Sequence, residues 1–479
     1  MFTDVQNALR GKRYEVYPQS IRSIGDDSTL FVVQRDGKKL VALAEGKTPL
    51  GIGAPVASLR SGDQEVSLYE LTWECYRQLA ALLPISPSPC DNNASFGTGD
   101  RLGMVTAAHL EADKGYPVFP VIAQQSPREL ERTGRSFRSV LLDAVMGVLE
   151  SGWTGAWGAD ADHIKDETRF LEGIEAGYTM YTLDVSDELQ SIDGVSAPDI
   201  AARAELLDDS SKRIVRDWSG VELGGYEFSA DELAKSAIIY EKSMQRVVRF
   251  DSIAKGKLDA YDLEVSIDEG SRDTAPEDHL FSAEYLHRAG VGFQSLAPKF
   301  PGEFQKAVDY MGDYAALQKS FDIHAEIARK LQGYRLSLHS GSDKFSVYRM
   351  FSEATGGSFH IKTSGTSWLQ AVNLVAHENA ELFGELYAIC LAALPDSKKA
   401  YHVYITPEHF PAQPSGSLPE FFAVPDIQQL FHISYGALLD ARRDDIVQAL
   451  KANEPKHYQL VSKHINRHLE LLFGERSPE

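Results

Sequence analysis

The residues best suited to chemistry sit in one short run, Gly158-Ala-Asp-Ala-Asp-His163, which brings two carboxylates and an imidazole together behind the strand-like stretch Thr154–Trp157. Like charges a few ångströms apart raise each other's pKa, and burial opposes both, so such a run is costly unless a cation or a substrate compensates. A second run of the same kind, Leu338-His-Ser-Gly-Ser-Asp-Lys344, again follows a strand-like stretch. Between the two, Glu264 lies within a third strand-like segment. His163, Glu264 and His339 therefore form a candidate divalent-metal set of two neutral imidazoles and one carboxylate, with positions left open for substrate oxygens. Zinc, manganese, iron, cobalt or nickel would suit it. His324 is the reserve ligand, although Ile327, Ala328 and Leu331 at helical spacing predict that it packs inside a helix.

Something must carry these residues to one place. After the proline-studded linker Ser86-Pro-Ser-Pro89, short apolar strands alternate with helical stretches, the pattern of βαβ units. Eight strands are predicted, over 102–105, 118–123, 155–158, 179–183, 263–267, 292–296, 335–338 and 359–361. Eight is the number that closes a parallel barrel, so the expected fold is α/β, a (β/α)8 TIM-type barrel spanning 91–395. A helical insertion is expected at about 185–260, as a lid or an oligomer contact. Residues 1–90 read as a small β-rich unit, with strands over 28–34 and 39–45 joined by the hairpin dipeptide Asp36-Gly37 and a helix over 69–83. Residues 396–479 read as a helical C-terminal extension.

Active sites of such barrels form at the carboxyl ends of the strands. The polar residues expected there include Gln125, Ser126, Arg128 and Arg135 after the second strand, Asp162, His163 and Lys165 after the third, and Ser295 and Lys299 at the sixth. His339, Asp343 and Lys344 follow the seventh, and Lys362 and Thr363 the eighth.

Composition narrows the partners. The chain has 479 residues, an apolar fraction of 43% and a net charge of -21, which disfavours nucleic acid because phosphates would be repelled over most of the surface. Three cysteines without C-x-x-C spacing argue against disulfides and thiolate zinc. No apolar run reaches membrane-spanning length, and the amino-terminal stretch has no signal-peptide core, so a cytoplasmic protein without a membrane partner is expected. The glycines of Gly97–Gly103 miss the dinucleotide fingerprint, and no Walker A, nucleophile elbow or H-E-x-x-H motif occurs.

With these runs in view, the chain resembles the tagaturonate/fructuronate epimerases. The matching segments are Gly99-Asp-Arg-Leu-Gly103, Gln124-Gln-Ser126, Arg128-Glu129, Arg132-Thr-Gly-Arg135, Gly158–Lys165, Ser295-Leu-Ala-Pro298, His339–Phe345 and Lys362–Ser367. The resemblance implies a metal-dependent sugar epimerase that inverts the hydroxyl carbon β to the ketone, C4 of a 2-ketose, converting D-tagaturonate to D-fructuronate. It places metal binding on His163 and His339, a proton acceptor at Asp162 and a proton donor at Glu264. One departure stands out: where the family usually reads threonine, proline, glycine, histidine, this chain has Thr106-Ala-Ala-His109. That change keeps a neutral ketohexose, fructose or tagatose, as an alternative substrate. A metal-dependent aldolase or isomerase is the rival activity.

A carbon β to the ketone has no acidic C–H, so enolisation does not invert it, and retro-aldol cleavage with re-addition is the expected route. A Schiff base on Lys362 or Lys165 is the minor variant. The substrate carboxylate is expected to meet arginines or lysines, with Arg128, Arg135, Lys344 and Lys362 the leading candidates.

Overall fold

The structure, a computed structural model, describes residues 2–25, 27–44, 46, 50–61, 64–90, 93–268, 270 and 272–476. Its centre is a closed barrel of eight parallel strands: β1 Ala94–Thr98, β2 Phe119–Gln125, β3 Gly158–Ile164, β4 Met180–Asp184, β5 Asp262–Ser266, β6 Ser295–Ala297, β7 Arg335–Leu338 and β8 Phe359–Thr363. Each pairs in parallel with the next, and β8 closes on β1 through Phe359–Ala94 to Thr363–Thr98. Residues on all eight strands are buried on both faces, as expected where helices cover a parallel sheet.

Two strands differ from expectation. The first is Ala94–Thr98 and not 102–105. Leu102, Gly103 and Val105 instead form a turn whose backbone N–H groups donate to the Asp100 carboxylate at 3.1, 2.8 and 2.7 Å. The true strand is masked by its small residues, Ala94, Ser95 and Gly97. A Cβ at Gly97 would lie 1.8 Å from Gln124 Oε1, so the Gln124 amide would have to shift to admit a larger residue. The third strand begins at Gly158, so the acidic run is the strand itself and not the loop after it. Asp160 and Asp162 point inward, while Ala159 and Ala161 face the helices and leave room for Gly173 of helix Glu167–Glu175 to approach closely.

The amino-terminal unit is a six-stranded antiparallel sheet. Its hairpin turns at Asp36 and Gly37, both with φ in the left-handed region (52° and 71°), as a type I′ turn requires. Glu45 lies outside the described residues. The following helix is shorter than expected, Trp73–Ala80 behind the N-cap Thr72, because Tyr69 still belongs to a strand.

The segment between β4 and β5 holds helices Ala197–Glu205, Asp209–Trp218 and Ala230–Lys255, with a two-stranded ribbon at 222–227. The carboxyl-terminal helices pack round a second apolar core that reaches back to Trp368, Leu374 and Phe383. Helix Glu454–Phe473 returns to the barrel, where Val461, Ile465, Leu469 and Leu472 join the main core. No described helix is long and apolar enough to cross a membrane.

Candidate functional site

Lys362, near the end of β8, is the hub of the barrel interior. Its Nζ lies 2.8 Å from Asp160 Oδ2, 2.7 Å from Asp162 Oδ1 and 3.0 Å from Glu264 Oε1, so strands β3, β5 and β8 converge on one ammonium. Thr182 of β4 donates to Asp160 at 2.9 Å, and Ser295 of β6 donates to Glu264 Oε2 at 2.6 Å. His339, just past β7, completes the ring with Nε2 at 2.6 Å from Glu264 Oε1. Its other nitrogen, Nδ1, is buried and pairs with Asp268, 3.1 Å from Oδ2. The His163 ring faces that of His339, with centroids 5.1 Å apart. His163 sits at φ 50°, unusual for a non-glycine residue and costly unless the surroundings hold it.

Charge fixes the protonation states. Burial alone would discharge Lys362, but the three carboxylates outweigh it and hold its pKa well above the ordinary lysine value. The side chain is therefore an ammonium and a poor nucleophile, which removes support from a Schiff base there. Burial also opposes the charge on Asp162, yet Lys362, His163 and His339 keep its carboxyl below the usual range. Glu264 is held low in the same way, against its burial, by Lys362 and His339. Burial, with Asp162 and Glu264 alongside, pushes Asp160 up to about 6 against the pull of Lys362. His339 is lifted to about 10, because Asp268 and Glu264 overcome its burial.

Above this network opens a cavity of about 580 Å³. Asp162, His163, Asp268, His339 and Lys362 form its floor, Gln124 and Arg128 one wall, and the segment Pro298–Lys306 another, closed by Tyr401 and His402 from the carboxyl-terminal part. Of the residues expected to act, Asp162, His163, His339, Lys362 and Arg128 meet here. Glu264 does not reach the wall: it is fully buried behind His339, and Asp268 stands in the place expected for it.

The other expected substrate contacts are held elsewhere. Gln125 donates to Glu129, and Ser126 caps helix Pro127–Thr133. Arg135 pairs with Asp143 at 2.5 Å and donates to the Asp100 carbonyl at the same distance. Lys165 pairs with Asp187, Thr363 donates to the Gly97 carbonyl, and Lys344 donates to the carbonyls of Gln305, Val308 and Ser342. Asp343 turns away toward His464. His324 is packed inside helix Tyr314–Leu331 against His279, as its spacing predicts. Thr106, Ala107, Ala108 and His109 belong to a buried helix, and His109 bonds Ser367 at 2.6 Å. Their departure from the family pattern lies outside the cavity over Lys362.

Lys306 was missed. It lies on the cavity wall in a Pro-, Gly- and Phe-rich stretch that reads as plain loop, and its Nζ bonds Ser340 at 2.8 Å. Only the rule that loops after barrel strands carry function pointed to that stretch.

His163, His339 and Asp268 carry the donor types that a divalent cation takes, with His339 Nδ1 and Asp268 Oδ2 3.1 Å apart, but as placed their ligand atoms do not all lie within 4.8 Å of one another. A group whose ligand atoms already lie within 4.8 Å of one another is also present, formed by Asp343, His464 and His468 outside the cavity.

Known proteins match this chain along nearly its whole length. The model of the tagaturonate epimerase family matches residues 17–472. The tagaturonate/fructuronate epimerase of Thermotoga maritima is 39% identical over 478 residues, covering 97% of this chain and 98% of that protein. The native crystal structure of a fructuronate-tagaturonate epimerase from Cohnella laeviribosi superposes with a TM-score of 0.91 at 31% identity, covering 98% of this chain and 99% of the other. A glycerol complex of the Cohnella enzyme gives 0.90.

Proposed function

The chain belongs to the tagaturonate epimerase family, an isomerase acting on sugar acids, and from that premise we propose that the barrel mouth inverts C4 of a ketohexuronate, interconverting D-tagaturonate and D-fructuronate by retro-aldol cleavage and re-addition. The observation that carries this reading is the meeting of an ionised Asp162, a fixed ammonium and two imidazoles on the floor of one cavity. Asp162 takes the proton of the C4 hydroxyl. The C3–C4 bond breaks, its electrons pass to C3 and the ketone oxygen, and C4 becomes an aldehyde carbon. After the aldehyde turns its other face, the bond reforms and Asp162 returns the proton to the new hydroxyl.

Lys362 lies beside Asp162 and is locked by three carboxylates, so its positive charge is fixed in advance where negative charge develops. Glu264 acts from behind: it orients His339 through the 2.6 Å contact and holds Lys362 charged. It is fully buried and absent from the cavity wall, which supports a positioning role in place of the proton-donor role that the resemblance implies. Asp268 with His163 and His339 would hold a divalent cation, which would supply Lewis acidity to substrate oxygens.

Arg128 on one wall and Lys299 and Lys306 on the other suit the substrate carboxylate. A cavity that gathers cations in a chain of net charge -21 favours an acid over a neutral ketose. The test is to strip the protein with a chelator, restore single divalent cations, and follow tagaturonate, fructuronate, fructose and tagatose by NMR. Interconversion of the uronates that requires a cation and is lost in Asp162→Asn supports the reading. Accumulation of three-carbon fragments would instead identify an aldolase.

A further inference from the structure

Outside the cavity, a second cluster of ligating side chains joins the carboxyl-terminal helix to the loop after β7. His464 and His468 stand four residues apart on helix Glu454–Phe473, so their imidazoles project from one face. Asp343 reaches them from the loop: its Oδ1 lies 2.5 Å from His464 Nε2 and 3.6 Å from His468 Nε2. A tetrahedral ion with ligands at about 2.0–2.1 Å separates neighbouring donor atoms by about 3.4 Å, so small side-chain adjustments would seat one.

The orientation of His468 is already that of a metal ligand. Its Nδ1 lies 2.9 Å from the His464 carbonyl, which only accepts, so Nδ1 carries the hydrogen and Nε2 presents a lone pair toward Asp343. That lone pair now accepts from the Asp343 backbone N–H at 3.2 Å, a long bond that is readily exchanged. Phe96, Phe345 and Tyr348 pack around the fully buried His468 ring and exclude water. His464 is partly exposed, which gives an ion a route in and leaves room for water as a fourth ligand.

We propose that Asp343, His464 and His468 bind a divalent transition-metal ion of the zinc, cobalt or nickel class, separate from any ion in the cavity, that clips the carboxyl-terminal helix to the loop bearing His339. Two imidazoles with a single carboxylate favour such ions over magnesium or calcium, which prefer oxygen ligands. On binding, the ion takes the place of the direct contact between His464 and Asp343.

Zinc content after equilibrium dialysis, and the visible absorption of added cobalt(II), test this on the full chain. Wild type should hold one equivalent more than His464→Ala. His163→Ala, which removes a cavity ligand, should keep the cobalt spectrum of the clip. Asp343→Asn, close in shape to the original, should keep the far-ultraviolet circular dichroism and bind zinc at the clip at least 10-fold more weakly, which covers the case in which His464→Ala fails to fold. Equal zinc stoichiometry and affinity in wild type, His464→Ala and Asp343→Asn would overturn the proposal, leaving an ordinary ion pair. The comparison counts only the difference made by the clip residues, so it holds whether or not the cavity takes a cation.

Discussion

Three carboxylates around one ammonium make Lys362 the residue on which the barrel interior depends. Removing the cation from a buried network costs about 3–5 kcal/mol, because the acids left behind have no partner. Lys362→Met should therefore lower the unfolding free energy by about that amount in chemical denaturation and abolish turnover. Asp162→Asn tests chemistry more cleanly, since the amide keeps the shape: kcat should fall by about 10²–10⁴-fold with the melting temperature little changed. Arg128 lies over the Tyr401 ring, 5.0 Å from its centroid, and faces the cavity. A charge-assisted hydrogen bond to a carboxylate contributes about 1.5–3 kcal/mol. Arg128→Ala should thus raise KM for tagaturonate by about 10–100-fold while leaving weak turnover of tagatose unchanged; equal losses on both would make the arginine structural. Sequence pattern exposed Asp162, His163, His339 and Lys362 because all stand at or near strand ends. It offered no means of telling Arg128 from Arg135, because both are basic residues after β2 and only the fold gives Arg135 to Asp143.

At the scale of elements, the alternation of apolar strands and helices exposed the barrel, whereas β1 was missed and β3 was placed too early. β1 is made largely of small residues, and β3 carries carboxylates inside the barrel where apolar side chains are the rule. Inward carboxylates in β3 thus broke the apolar pattern by which strands are recognised, whereas β5 and β8, which also serve the site, keep enough apolar residues to show. Helix Thr106–Asp113 shows a different conflict. It ends on a buried Asp113 whose two carboxylate oxygens have no hydrogen-bond partner, at the helix end where the backbone dipole disfavours negative charge. Burial raises Asp113 to about 8 from an ordinary 3.8. Folded protein then holds a proton that unfolded chain releases, so stability falls as pH rises from about 4 to about 8 and this contribution is flat on either side. Asp113→Asn should be nearly neutral at pH 4.5 and stabilising by a few kcal/mol, to order of magnitude, at pH 8. Thermal melts at the two pH values check it; an equal gain at both would mean that Asp113 has a partner when ionised.

Across the whole molecule, the amino-terminal sheet, the barrel and the carboxyl-terminal helix are tied at a single point far from the cavity. Lys39, from the hairpin strand Lys38–Ala44, sets its Nζ 2.6 Å from Glu150 at the end of helix Phe137–Ser151 and 2.8 Å from Glu454 at the start of helix Glu454–Phe473. Tyr458 donates to Glu150 at 2.8 Å and Tyr17 to Glu454 at 2.6 Å. No spacing rule links positions 39, 150 and 454, so this tie was invisible in the sequence, just as the clip of Asp343 by His464 and His468 was. Burial opposes the charge on Lys39, but the two carboxylates outweigh it and raise its pKa. Lys39→Met would leave Glu150 and Glu454 repelling each other near the junction of three parts. The expected loss is about 3 kcal/mol, at the lower end for a broken buried pair because Lys39 keeps some contact with water. Adding Glu150→Gln should return part of that loss, since the uncompensated repulsion goes with it, and a double-mutant cycle in urea measures the coupling. Additive effects of the two substitutions would mean that each residue acts alone and that the three parts are held together by their apolar cores.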